Sequence, residues 1–182
     1  MKGFNTIAIL VVAYLVVFFQ ATFNELRQWI GVQIDLLPGL VVYASLSSGI
    51  LTVTLVSVCG GLWLDSLSAN PLGISILPLF VVGLLIQRSR DLILREQPFA
   101  QFVLGTTGSA AVSLGTVLLI MNTHLQPLIG WFSLWQWVVL SLVGGAITPV
   151  WFQCFDWLET ALTYRPQGES SFRPDRQIKR GR

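Results

Sequence analysis

Residues 36–64 read LLPGLVVYASLSSGILTVTLVSVCGGLWL, twenty-nine uncharged positions held between Asp35 and Asp65. An α-helix rises 1.5 Å per residue and the hydrocarbon core of a bilayer is about 30 Å thick, so one crossing takes about 20 residues. This run is long for one crossing and short for two. The number of crossings it makes sets the topology of the whole chain.

The flanking sequence establishes that a bilayer is the solvent. Of 182 residues, 53% are hydrophobic and only 11% are charged, with a mean hydropathy of +0.69. A soluble domain carries about 25% charge. So few charged side chains cannot cover the surface of a core this apolar, which excludes a water-soluble fold. Phe4 to Phe23 is an apolar stretch of one bilayer thickness. Asn24-Glu25-Leu26-Arg27 offers no small-residue cleavage site after it, so it reads as an anchor and not as a cleaved leader. Leu72 to Ile86, Phe99 to Met121 and Trp131 to Phe155 are three further apolar runs bounded by charge, proline or polar residues.

If residues 36–64 cross twice, with a turn at Ser45-Leu46-Ser47-Ser48-Gly49, the chain has six spans. Lys2, the loop arginines Arg88, Arg90 and Arg95, and the six basic residues of the tail then share one side, against Arg27 alone on the other. A single crossing gives at best seven against four. Short positive loops mark the cytoplasmic face, so the six-span plan is preferred, with both termini in the cytoplasm of a multi-pass membrane protein. The expected fold is all-α and polytopic: one membrane domain, 1–163, with spans near 4–23, 30–46, 49–65, 72–87, 99–121 and 132–157. The second span is short and is expected to be broken or delayed near Pro38-Gly39. Residues 164–182 form a basic tail, read as disordered and suited to anionic lipid headgroups.

Trp29, Trp63, Trp131, Trp135 and Trp137 fall near the external ends of these spans, and Trp151 and Trp157 near the internal end of the last, as in aromatic interface belts. Cys59 and Cys154 lie in apolar runs and read as reduced, packed thiols. Every ionisable side chain, including the lone His124, maps to a predicted end, loop or tail, so no intramembrane ion path is marked. Paired carboxylates, a Ser-His-Asp set and a metal cluster are all missing from the pattern, and no enzyme activity, cofactor, metal or nucleic-acid partner is expected.

Without a hydrophobic drive between helices in lipid, small residues supply close packing. Gly105, Ser109, Val112 and Thr116 form one stripe of the fifth span. Gly108, Ala111 and Gly115 form a second beside it. Ser141, Gly144, Gly145 and Thr148 mark the last span, and Gly60 and Gly61 lie beside Ser57 in the third. Such faces serve packing within one chain before they serve a docking partner. Pro78 and Pro149 are expected to bend their helices.

Between the third and fourth spans stands Gly60-Gly61-Leu62-Trp63-Leu64-Asp65-Ser66-Leu67-Ser68-Ala69-Asn70-Pro71-Leu72-Gly73. It reads as a closely packed helix ending at an acid, followed by an Asn-Pro-Leu-Gly turn. An aspartate near a helix C-terminus opposes the dipole. Asp65 is therefore expected either to accept hydrogen bonds from backbone N–H groups at the start of the fourth span or to meet an external cation.

This stretch, with Gly61, Asp65, Pro71 and Gly73, resembles the G-x-x-x-D-x-x-x-x-x-P-x-G signature of the bacterial rod shape-determining membrane proteins of the MreD family. Asp35-Leu36-Leu37-Pro38, Val41-Val42-Tyr43-Ala44 and the closing arginines Arg88 and Arg90 are similar as well. The resemblance covers about a third of the chain; the basic tail departs from it. It implies a non-catalytic scaffold of the bacterial inner membrane in the cell-elongation complex, helping maintain cell shape and organising peptidoglycan synthesis with MreC, and through it with RodA, a class B penicillin-binding protein and MreB. It also implies a fold similar to the substrate-binding subunits of energy-coupling-factor transporters. The rival reading is therefore a subunit that holds a vitamin in an external pocket. The polar groups at the external side are mostly Asn24, Glu25, Gln28, Asn70, Asn122, Thr123 and His124, a poor set for a polar ligand.

Overall fold

The computed structural model describes residues 2–22, 35–68, 71–90, 97–123 and 130–163. Over these the chain is all-helical, with α1 at Lys2–Thr22, α2 at Leu37–Ser47, α3 at Ile50–Leu67, α4 at Ile76–Arg88, α5 at Pro98–Asn122 and α6 at Trp131–Thr163. Four of these are long and apolar enough to cross a bilayer: the stretches Asn5–Thr22, Ile50–Leu67, Pro98–Asn122 and Ser133–Ala161. The two others are shorter, at 11 and 13 residues. At 1.5 Å per residue they reach only about 16 and 20 Å, well under a bilayer's hydrocarbon thickness.

The two short helices are aligned at one end of the bundle. The Gln87 amide of α4 donates to the carbonyl of Ser48, just past α2, at 3.5 Å. The Thr6 and Thr52 hydroxyls, near the starts of α1 and α3, hydrogen bond at 2.8 Å. Lys2, Arg88 and Arg90 belong to this end. The opposite ends of α2 and α4 stop half-way along α3. A methyl group on Gly60 would lie 3.0 Å from the Leu37 side chain, and one on Gly61 would lie 3.0 Å from the Ile76 backbone nitrogen. Gly60 is ten residues into α3, about 15 Å along a helix of about 27 Å.

Local sequence explains why both helices start where they do. Leu37 N–H is taken by the Asp35 carboxylate at 3.0 Å, and Pro38, next in line, has no N–H to satisfy. The delayed start near Pro38-Gly39 is thus seen, although the part of the expected second span before residue 35 lies outside the described residues. In α4 the start falls at Ile76 and not at 72, because residues 72–75 form a turn. Pro78 then occupies the third position, where no intrahelical bond exists to be lost. The expectation that it bends a helix interior is corrected accordingly. Pro149 does lie inside a helix, and α6 is continuous through it, reaching Thr163.

α2 is the axis of the bundle and packs against all five other helices. Every residue from Leu37 to Leu46 is buried, which requires a segment apolar all round. Its Tyr43 ring stacks on Phe155 at 4.4 Å between centroids and meets Phe152 edge-on at 4.9 Å. Ile9, Ala13 and Val17 of α1, Val56 of α3, Leu79 of α4 and Val112 of α5 complete the core. The perimeter is the reverse of a soluble protein's: Phe19, Leu51, Leu72, Phe99, Leu118 and Trp157 are exposed, as suits apolar surroundings.

Candidate functional site

The α3–α4 joint holds the residues singled out in the sequence. Asp65 is 1% exposed. One carboxylate oxygen accepts from the backbone N–H of Gly73 at 2.8 Å and of Ser75 at 3.1 Å, and the other accepts from the Ser75 hydroxyl at 2.5 Å. This is the turn chemistry anticipated for an acid at that place. Asp65 stands in the last turn of α3, the span end expected for it, and is buried there. The dipole at the C-terminal end of α3 disfavours an acid, and the positive N-terminal end of α4 offsets that penalty. Gly61 permits the close approach: a side chain there would strike the Ile76 side chain and backbone at 2.9 to 3.0 Å. Gly73 has φ +94°, a conformation that favours glycine, and it brings the chain back toward α3. Pro71 opens the turn with its carbonyl accepting from Ile74 N–H at 3.4 Å. Asn70 lies outside the described residues.

A second carboxylate, Asp35, lies close enough to Asp65 for the two charges to act on each other, and the Gln20 side chain of α1 stands beside it. Both polar atoms of the Gln20 amide are shielded from solvent, and the amide is turned toward the Asp35 carboxylate. Sequence reasoning missed this group. Gln20 reads as one polar residue within an apolar run and Asp35 as a boundary charge, and nothing in their spacing pairs the two. Pro38 marks the helix start beside Asp35 but carries no sign of which residues of other helices lie near that carboxylate. Among the described residues, Lys2, Arg88 and Arg90 are the cations, and all belong to the other end of the bundle. No group of three or more metal-ligating side chains occurs among the described residues.

The small-residue stripes meet within the chain. Gly105 faces Thr148 and the Gly144 carbonyl, Ser109 faces Gly144, and Gly145 faces Thr106, so one stripe of α5 is fitted against α6. The neighbouring stripe turns elsewhere, with Gly108 against Val42 of α2 and Gly115 against Pro78 of α4. Gly39 of α2 meets Thr148 and Trp151, which ties α2 to the same joint. The Ser109 hydroxyl is buried without a hydrogen-bond partner, as is that of Ser57.

The aromatic and thiol expectations divide. Trp63 packs edge-on against Tyr14 at 5.3 Å, whereas Trp131 and Trp135 are 88% and 60% exposed and project from the bundle. Trp137 donates to the Ala110 carbonyl at 3.2 Å. Cys59 is half-buried, but Cys154 faces outward and is not a packed thiol. Trp29, Asn24, Glu25, Gln28, His124 and the basic tail lie outside the described residues. Comparison with family models, curated proteins and solved structures found no match.

Proposed function

We propose that this chain is a six-span, non-catalytic scaffold of the bacterial inner membrane, with both termini in the cytoplasm, acting in the cell-elongation complex beside an MreC-like single-span protein. RodA, a class B penicillin-binding protein and MreB would be reached through that partner. The observation that carries this reading is the role of the residues that resemble the MreD signature. Gly61, Asp65 and Gly73 form a buried joint that fixes α4 against α3, so they act as architecture and not as reacting groups. A scaffold has to be held in one shape, and a carboxylate with three hydrogen bonds inside a bundle does that. In this plan α4 would traverse the bilayer together with the turn at 72–75, and α2 together with the residues that precede it, which is acceptable where neighbouring helices enclose any irregular backbone.

The vitamin-binding subunit remains the second reading, favoured by one observation: the buried amide of Gln20 beside Asp35, a polar feature where two helices stop short. Purification from mild detergent distinguishes the two. The scaffold predicts recovery of a single-span protein with an extracytoplasmic coiled coil, and rounding of cells on depletion. A tightly held small molecule, with normal cell shape on depletion, would reject it.

A further inference from the structure

We propose that the outward face of α4 thins the bilayer beside it, drawing lipid headgroups and water toward the midplane on that flank. The proposal needs only that the bundle lies in a membrane and is independent of the scaffold assignment.

The outward faces of neighbouring helices differ in height. On α5 the exposed stripe runs from Phe99 through Val103, Ala111, Leu114 and Leu118 to Met121. Its ends are about 33 Å apart at 1.5 Å per residue. On α6 the exposed Trp135 and Trp157 are also about 33 Å apart by the same measure. Both lengths suit a hydrocarbon layer of about 30 Å. On α4, beside α5, the exposed stripe consists of Leu77, Val81 and Leu85 and is closed by the exposed Arg88. All 13 residues of that helix rise only about 20 Å.

The register between the two helices places the shortfall at both ends of α4. A methyl group on Gly115 would lie 3.1 Å from Pro78, and one on Gly108 would lie 3.6 Å from Val82. Counted from these contacts, Ile76 stands about 6 Å inside the level of Met121, and Arg88 about 7 Å inside that of Phe99. Nothing apolar and helical extends α4 at either end. Residues 72–75 form a turn that Asp65 satisfies on its inner side, while Leu72 is exposed on the outer side. Irregular backbone does not face hydrocarbon, where its polar groups have no water. At the other end the Arg88 guanidinium requires headgroups or water within reach of its stem.

Lipid against α4 is therefore bounded by polar groups about 20 Å apart, and a layer matched to α5 and α6 has to lose about 10 Å to meet them. Thinning is one response to a short segment and association with another helix is a second. The side chains favour the first. Helices in lipid pair through small residues, and the single glycine of α4, Gly83, faces inward against Val53 and Val41. The outward stripe of leucine and valine suits acyl chains.

The test is spin labelling of the full chain in dioleoyl phosphatidylcholine vesicles. The background carries Cys154→Ala with Cys59→Ala or Cys59→Ser, whichever keeps the wild-type circular dichroism. Labels are attached singly through Leu77→Cys, Val81→Cys and Leu85→Cys on α4, and through Val103→Cys, Ala111→Cys and Leu118→Cys on α5. All six positions are exposed, so a label displaces no packed side chain. Depth is read from relaxation by oxygen, which dissolves in hydrocarbon, against relaxation by a nickel chelate, which stays in water. The label at 111 is expected about 15 Å below the hydrocarbon edge and no α4 label deeper than about 10 Å, half of each local thickness. An α4 label as deep as the one at 111 overturns the proposal. That result covers a flat bilayer and a tilted bundle alike, since tilt moves the deepest point along α4 without making it shallower. Loss of access for both relaxants at all three α4 positions also overturns it, because protein and not lipid then covers the face.

Discussion

Replacing Asp65 by alanine is the most direct trial of the joint between α3 and α4. The substitution removes the acceptor of three hydrogen bonds and leaves the Gly73 and Ser75 backbone N–H groups facing a buried space. The Ser75 hydroxyl can rotate to a new acceptor; the two backbone donors cannot. A buried donor without a partner costs about 1–3 kcal/mol. Side-chain hydrogen bonds inside membrane proteins average only about 0.6 kcal/mol, because the unfolded reference in lipid finds other partners. Two stranded donors between those limits give a loss of about 2–4 kcal/mol. Asp65→Asn keeps one oxygen for the N–H groups and turns its amide toward the Ser75 hydroxyl, so its loss is smaller, about 1–2 kcal/mol. Ser75→Ala removes one bond and leaves the two N–H contacts, for about 1 kcal/mol or less. The assay is unfolding of purified protein in mixed micelles by increasing fractions of dodecyl sulfate, followed by helical circular dichroism. The expected order of loss is alanine at 65, then asparagine at 65, then alanine at 75. An Asp65→Ala loss below about 0.5 kcal/mol, or equal to that of Ser75→Ala, would refute the reasoning, since the joint would then owe nothing to the stranded N–H groups.

The fitted face between α5 and α6 gives a second expectation: Gly105→Val lowers stability in the same assay by about 1–3 kcal/mol or prevents folding, while Gly49→Ala, with nothing within 4 Å, is close to neutral. Gly73→Ala meets no neighbour either, so its loss, about 1–2 kcal/mol, reports the positive φ alone. A loss near zero for Gly73→Ala by thermal unfolding would contradict the turn geometry. Reporter fusions after residues 48 and 92 and at the C-terminus are each expected to signal the cytoplasm. A periplasmic signal at 92 would overturn the six-span plan.

Much of the helical framework was legible because the length of an apolar run between charges is itself the measure of a crossing. α1, α3, α5 and α6 follow that rule, and the small residues of α5 and α6 marked the interface they form. The half-length helices were harder to read. The start of α2 is set by a local hydrogen bond from Leu37 N–H to Asp35, and that of α4 by bonds from the Gly73 and Ser75 N–H groups to Asp65, and no periodicity records a bond between residues ten positions apart. Once Asp65 claims the N–H groups of residues 73 and 75, the helix begins later and Pro78 changes from a bend into a starter. Gln20 was hidden for a related reason: a lone amide in an apolar run becomes chemically distinct only when folding sets it beside Asp35. Cys154 was misplaced because an apolar run in a bilayer has an outward face as well as a core face, and composition alone does not separate them.

The burial of α2 on every side bears on how the chain is made. An 11-residue helix is shorter than a bilayer crossing, so its enclosure depends on the helices around it. Its glycine docks on Thr148 and Trp151, which leave the ribosome more than a hundred residues later. Until then the centre of the nascent bundle lacks its last wall. A chain truncated before α6 therefore presents an unfinished interior to whatever quality-control protease patrols the membrane.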